Sequence, residues 1–130
     1  MKKIISVGVG GALGALCRHF VQSIPLPGGV LYRPALTMGI NISGSFLLGF
    51  LIILFTKRLS VPDWLRAGLT AGFLGGYTTF STFCKEAVTL YSTGHIVVAA
   101  LYLSVSLLLG LAAAWLGILA AERMKRGAAK

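Results

Sequence analysis

The stretch Gly75–Phe83, GGYTTFSTF, lies inside a long hydrophobic segment and interrupts it. Two adjacent glycines loosen a helix at that point, and four hydroxyls (Thr78, Thr79, Ser81, Thr82) are interleaved with Phe80 and Phe83. The surrounding chain has 130 residues, 56% of them hydrophobic and 12% charged. A helix needs about 20 apolar residues to cross ~30 Å of hydrocarbon. Four stretches satisfy this, at about 4–24, 34–56, 64–91 and 95–121. These lengths predict an all-α membrane protein: one four-span domain over 1–130, with a break in the third span.

The start, MKKIISVGVGGALGALC, also has the lysines, apolar core and small residues of a secretory signal. Leu16 is bulky just before Cys17, however, and apolar residues continue to Ile24, so a retained membrane helix is expected. A net charge of +9 would suggest nucleic acid in a soluble protein. Here the cations sit in short loops and tails, which is a topology signal and not a nucleic-acid surface. With four spans, one side holds Lys2, Lys3, Lys57, Arg58, Arg66, Arg123, Lys125, Arg126 and Lys130, and the other holds Arg18, Arg33 and Lys85. Both termini are therefore expected to be cytoplasmic. Cys17 and Cys84 match no metal or redox spacing and read as buried thiols.

The connections PLPGGVLYRP, KRLSVPD and STGH are short, so consecutive helices are expected to be antiparallel neighbours. Gly10 and Gly14, and then Gly68, Gly72 and Gly76, recur every four residues. Such small-residue faces let helix backbones approach closely in lipid.

Ionisable groups at membrane depth are functional candidates because they are costly there. No Asp or Glu occurs in the first two spans or the first half of the third, which opposes a proton-coupled carrier. His19 and His95 fall at span ends without carboxylates at ligand spacing, and no nucleophile motif surrounds the hydroxyls, so an enzyme is not expected. Lys85 and Glu86 fall towards the far membrane face. Asn41, in MGINISGSF, brings two donors and an acceptor into the second span. An interhelical bond and a ligand contact both remain open for it. Tyr102 and Ser106 are four apart and share a helix face, with Ser104 nearby.

Phe80 and Phe83 are three apart. Their ring edges tolerate an anion and their faces a cation. Backbone opened by Gly75 and Gly76 is tolerated at membrane depth only where it is buried in protein or lines a cavity, and its carbonyls are ready cation ligands. The residues themselves thus describe an ion site and leave the sign of the ion open.

GGALGALCR, TMGINISGSFLLG and GFLGGYTTFSTF resemble the Fluc (CrcB) family of fluoride channels, and the likeness extends over the whole chain. The resemblance implies a fluoride-selective channel of the bacterial inner membrane that exports fluoride passively and lowers its cytoplasmic toxicity. It also implies an antiparallel dimer with two pores and a structural sodium ion (Na+) where the broken third helices cross. By resemblance, the carbonyls of Gly75 and Thr78 bind sodium, Phe80 and Phe83 line the pores, and Asn41 donates to fluoride. Ser81 and Thr82 extend the donors, Tyr102 and Ser106 face the path, Glu86 stands near one pore end and Arg18 near a vestibule.

Three positions depart from the family pattern: Leu36 where glycine is usual, Gly110 where some relatives carry serine, and Cys84 at a commonly hydroxylated position. The nine-to-three division of cations opposes insertion in both orientations. An antiparallel homodimer and pairing with an inverted homologous chain are therefore both expectations. A small drug or metabolite exporter is the rival reading, and it lacks the early carboxylate such carriers need. A structural subunit would leave the hydroxyl–phenylalanine run unexplained.

Overall fold

The computed structural model describes residues 1–25 and 29–124. Leu26, Pro27 and Gly28 of the first loop, and the basic tail with Lys125, Arg126 and Lys130, lie outside the described residues. Lipid offers no partner to backbone N–H and C=O groups, so each apolar stretch closes its own hydrogen bonds as a helix. Helix α1 is Lys2–Gln22, α2 is Tyr32–Lys57 and α6 is Ile96–Arg123. All three are long and apolar enough to cross a membrane, counting with α2 the short 3₁₀ turn at Gly29–Leu31 that precedes it.

The third crossing is divided. It begins as α3, Asp63–Ala67, widens into π winding over Gly68–Leu74 and narrows again as α4, Gly75–Tyr77. Thr78 and Thr79 are then extended, with ψ of 156° and 118°, before α5 resumes at Phe80 and runs to Ser92. Among the described residues there is no strand. The protein is an all-α membrane protein with a broken third span.

The expected pairing of consecutive helices is only partly realised. α5 and α6 do pack as an antiparallel hairpin. Their turn places Gly94 at φ 84°, with His95 N–H bonded to Leu90 C=O at 2.9 Å and Gly94 N–H to Tyr91 C=O at 3.1 Å. This C-cap needs a residue in the left-handed region, and glycine adopts it without strain. The larger contacts, however, join α1 to the Gly68–Tyr77 stretch and α2 to α6. Both are parallel pairs.

Glycine decides this. A Cβ on Gly14 would strike the Phe73 carbonyl, and one on Gly117 the Phe46 carbonyl. Gly72 likewise faces Val7, and Gly76 faces Gly11. Helix association in lipid relies on van der Waals contact, and glycine faces bring two backbones closest together. The small-residue faces read from the sequence therefore lock this chain internally. Cys17, expected to be buried, is instead exposed on α1, whose glycines face the third span; Cys84 is half-buried. Ile40 and Leu90, each 1% exposed, anchor the interior of the chain.

Candidate ion-conduction site

The helix break is held open by a side chain from α2. Asn41 Nδ2 donates to the Thr79 carbonyl at 3.0 Å, and the Thr79 N–H donates to Asn41 Oδ1 at 2.9 Å. In a continuous helix that N–H would bond the Gly75 carbonyl. Thr79 also starts α5: its Oγ1 accepts from the Thr82 N–H at 3.2 Å and donates to Thr82 Oγ1 at 2.9 Å. A threonine N-cap of this kind satisfies one of the orphan donors at a helix start. The opening therefore falls at Thr78–Thr79, and not at Gly75–Gly76 as the glycines suggested. Gly75 and Gly76 remain helical, and Gly76 serves close packing on Gly11 instead.

Other expected residues gather round the break. Arg18, from α1, reaches inward and donates to the Thr78 carbonyl at 3.3 Å. Ser81 Oγ lies 3.4 Å from Thr79 Oγ1 and is exposed. Phe80 and Phe83 form a tilted pair with centroids 6.0 Å apart, and Phe83 continues the row to Tyr102 at 5.0 Å. A cavity of about 500 Å³ lies beside them, lined by Asn41, Ser45, Phe80, Phe83 and Ser106. The Ser106 hydroxyl is buried and has no partner among the described residues. A second cavity, about 310 Å³, opens where Asn41, Gly75, Thr78 and Phe80 meet.

Tyr102 and Ser106 share a helix but not a setting. Tyr102 is 7% exposed, and its hydroxyl donates to Glu86 Oε2 at 2.8 Å. Thr37, fully buried, donates to the other oxygen, Oε1, at 3.0 Å. Glu86 is thereby held between α2, α5 and α6. A carboxylate at this depth is tolerable because two hydroxyls replace the water it gives up. Thr37 and Thr79 carry these bonds, yet neither stood out singly in the sequence. A signal for Thr37 was present: it is four residues before Asn41, on the same face of α2.

The site thus gathers hydroxyl and amide donors, the Arg18 guanidinium and two phenylalanine rings, with no group of three or more metal-ligating side chains among the described residues. Residues 5–118 match the family model described as CrcB-like protein, Camphor Resistance (CrcB). A fluoride-specific ion channel FluC 2 of Geobacillus kaustophilus is 42% identical over 118 residues, covering 91% of this chain and 92% of its own length. Proteins called fluoride-specific ion channel FluC in Azotobacter vinelandii and Geotalea daltonii are 43% and 40% identical, covering 88% and 94% of this chain and 93% and 98% of theirs. The chain belongs to the CrcB family, whose named members here are ion channels and not enzymes.

Proposed function

We propose that this chain is a fluoride-selective ion channel, letting fluoride leave a bacterial cytoplasm down its gradient and so lowering its toxicity. The observation that carries this reading is the cavity in which Phe80, Phe83 and Asn41 meet a buried Ser106 hydroxyl that has no partner among the described residues. Fluoride is small and tightly hydrated, so it enters hydrocarbon depth only where donors replace its water. Ser106 has a hydroxyl to give, and Asn41 keeps one amide hydrogen beyond its bond to Thr79. The N-terminus of α5, with its partial positive charge, begins at Phe80 and adds to the preference for an anion. The names of the relatives support fluoride as the ion and leave the exporter reading without favour. Purified protein in liposomes is expected to release fluoride rapidly and chloride at a negligible rate; equal chloride release would refute the assignment.

The unit of function in this reading is an antiparallel dimer set in membrane lipid. Phe80 is 77% exposed, and Gly75 and Ser81 are also at the surface of the single chain. An opened helix facing lipid would leave polar backbone without partners, and a second chain laid across the break covers it. A structural sodium ion at the break is part of this reading. The Gly75 carbonyl has lost the Thr79 amide, space beside Gly75 is open, and the Thr78 carbonyl keeps a second lone pair beside Arg18. The carbonyls of Gly75 and Thr78 from both chains would hold the ion, whose positive charge would offset the carbonyl ends of the two α4 segments.

The orientation proposed has both termini in the cytoplasm, in the bacterial inner membrane, as a multi-pass protein. The second chain is then either an inverted copy or an inverted homologue. One cysteine placed in the C-terminal tail of a Cys17→Ala, Cys84→Ala background is expected to react mainly from the cytoplasmic side. Equal labelling from both sides would reject a fixed orientation and leave the homodimer.

A further inference from the structure

A cavity of about 390 Å³, separate from the two beside the helix break, opens at the end of the bundle opposite the termini, with Arg33, Thr82, Lys85, Glu86 and Thr89 in its wall. The chain has three acidic side chains, Asp63, Glu86 and Glu122. Glu122 is held by Lys57 at 2.6 Å at the other end of the bundle, where Asp63 also opens α3. Glu86 is thus the carboxylate available to this cavity, and Thr37 and Tyr102 occupy both its oxygens from the interior side. Leu26, Pro27 and Gly28 of the adjoining loop carry no charge.

Among the described residues, Arg33 and Lys85 make no ion pair and no side-chain hydrogen bond. Arg33 is the second residue of α2, where the helix dipole disfavours positive charge. Lys85 lies within α5, about 10 Å short of its end at the usual helical rise. An unpaired lysine at that depth is expensive against lipid and acceptable against a water-filled cavity. Arg33 and Glu86 also share a smaller hollow with Gln22 and Leu36.

We propose that Arg33 and Lys85 form an anion-collecting mouth that raises the local fluoride concentration beside Thr82. The inference rests on the conduction reading above and adds a rate-determining role for two residues that the break does not use. Two cations face one inward-turned carboxylate, so the cavity attracts small anions from solution. Clefts lined by one sign of charge concentrate counter-ions in this way.

The mechanism has a signature in salt. Charges act over ~30 Å at 0.01 M ionic strength and only ~3 Å at 1 M. Initial fluoride efflux from proteoliposomes, in which reconstituted channels insert both ways and so present this end to the loaded side as well, is read with a fluoride electrode at ionic strengths set on both sides with impermeant isethionate salts, and tests it. Lys85→Gln and Arg33→Gln are each expected to lower flux ~2- to 4-fold at low ionic strength and to match wild type at 1 M. Lys85→Arg, which keeps the charge, is expected to behave as wild type. Both residues are exposed, so the variants should elute as wild type does in size-exclusion chromatography. A loss of equal size at both ionic strengths, or no loss at low ionic strength, overturns the mouth while wild-type flux keeps the channel assignment intact. Wild-type protein that passes no fluoride overturns both.

Discussion

Asn41→Asp is expected to reduce fluoride flux by about 100-fold or more. Asn41 closes a two-bond clamp on Thr79, taking its N–H at 2.9 Å and giving a hydrogen to its C=O at 3.0 Å. Aspartate keeps the first bond and loses the second, setting a carboxylate oxygen against a carbonyl oxygen. A buried polar group left without its partner costs about 1–3 kcal/mol, and more where a charge is involved. Each 1.36 kcal/mol added to the barrier for ion passage is a factor of ten in rate, so a carboxylate that raises the barrier to an anion by about 3 kcal/mol gives the stated loss. The substitution also removes the remaining amide hydrogen offered to the ion and replaces it with negative charge. Asn41→Ala, which loses both bonds, should unfold at lower temperature as well. Wild-type flux from a monodisperse Asn41→Asp channel would show that the clamp does not organise the pore.

Phe80→Ile and Phe83→Ile are each expected to lower flux by about tenfold. Isoleucine keeps a bulky apolar side chain but has no ring edge to turn towards an anion; the same quadrupole is worth about 0.5–1.5 kcal/mol in aromatic pairs, and a loss of that order at the ion sets the expected factor. The two substitutions differ in what else they disturb. Phe83 packs on Tyr102, which holds Glu86, so its replacement also loosens that contact. Phe80 is 77% exposed in the single chain, and its replacement should leave the chain's own stability unchanged. Phe80→Ile therefore separates a role at the ion or partner surface from a role in packing. Normal fluoride efflux from both variants would remove the phenylalanines from the path.

Composition and spacing made much of this protein legible. Four apolar stretches within 130 residues allow little besides helices in a membrane, because lipid offers the backbone no partner. The glycine faces were readable for a related reason: a four-residue repeat of small side chains has few uses in lipid apart from close approach. GGYTTFSTF announced a break by combining glycine with hydroxyls where neither is favoured.

The place of the break and the partners of each polar group were not legible. The glycines pointed to residues 75 and 76, yet the chain opens at Thr78 and Thr79, because Asn41, 38 residues earlier, takes hold of the Thr79 backbone. Glu86 read as a residue towards the far membrane face, but nothing near it in sequence named Thr37 and Tyr102, on two other helices, as the hydroxyls that hold its two oxygens. The parallel pairing of α1 with the third span, and of α2 with α6, likewise overrode the short loops that favoured sequential neighbours. A sequence states which groups must find hydrogen-bond partners at membrane depth. Only the packing of helices distant along the chain determines which partners they find, because those bonds depend on backbone distances that no local pattern encodes.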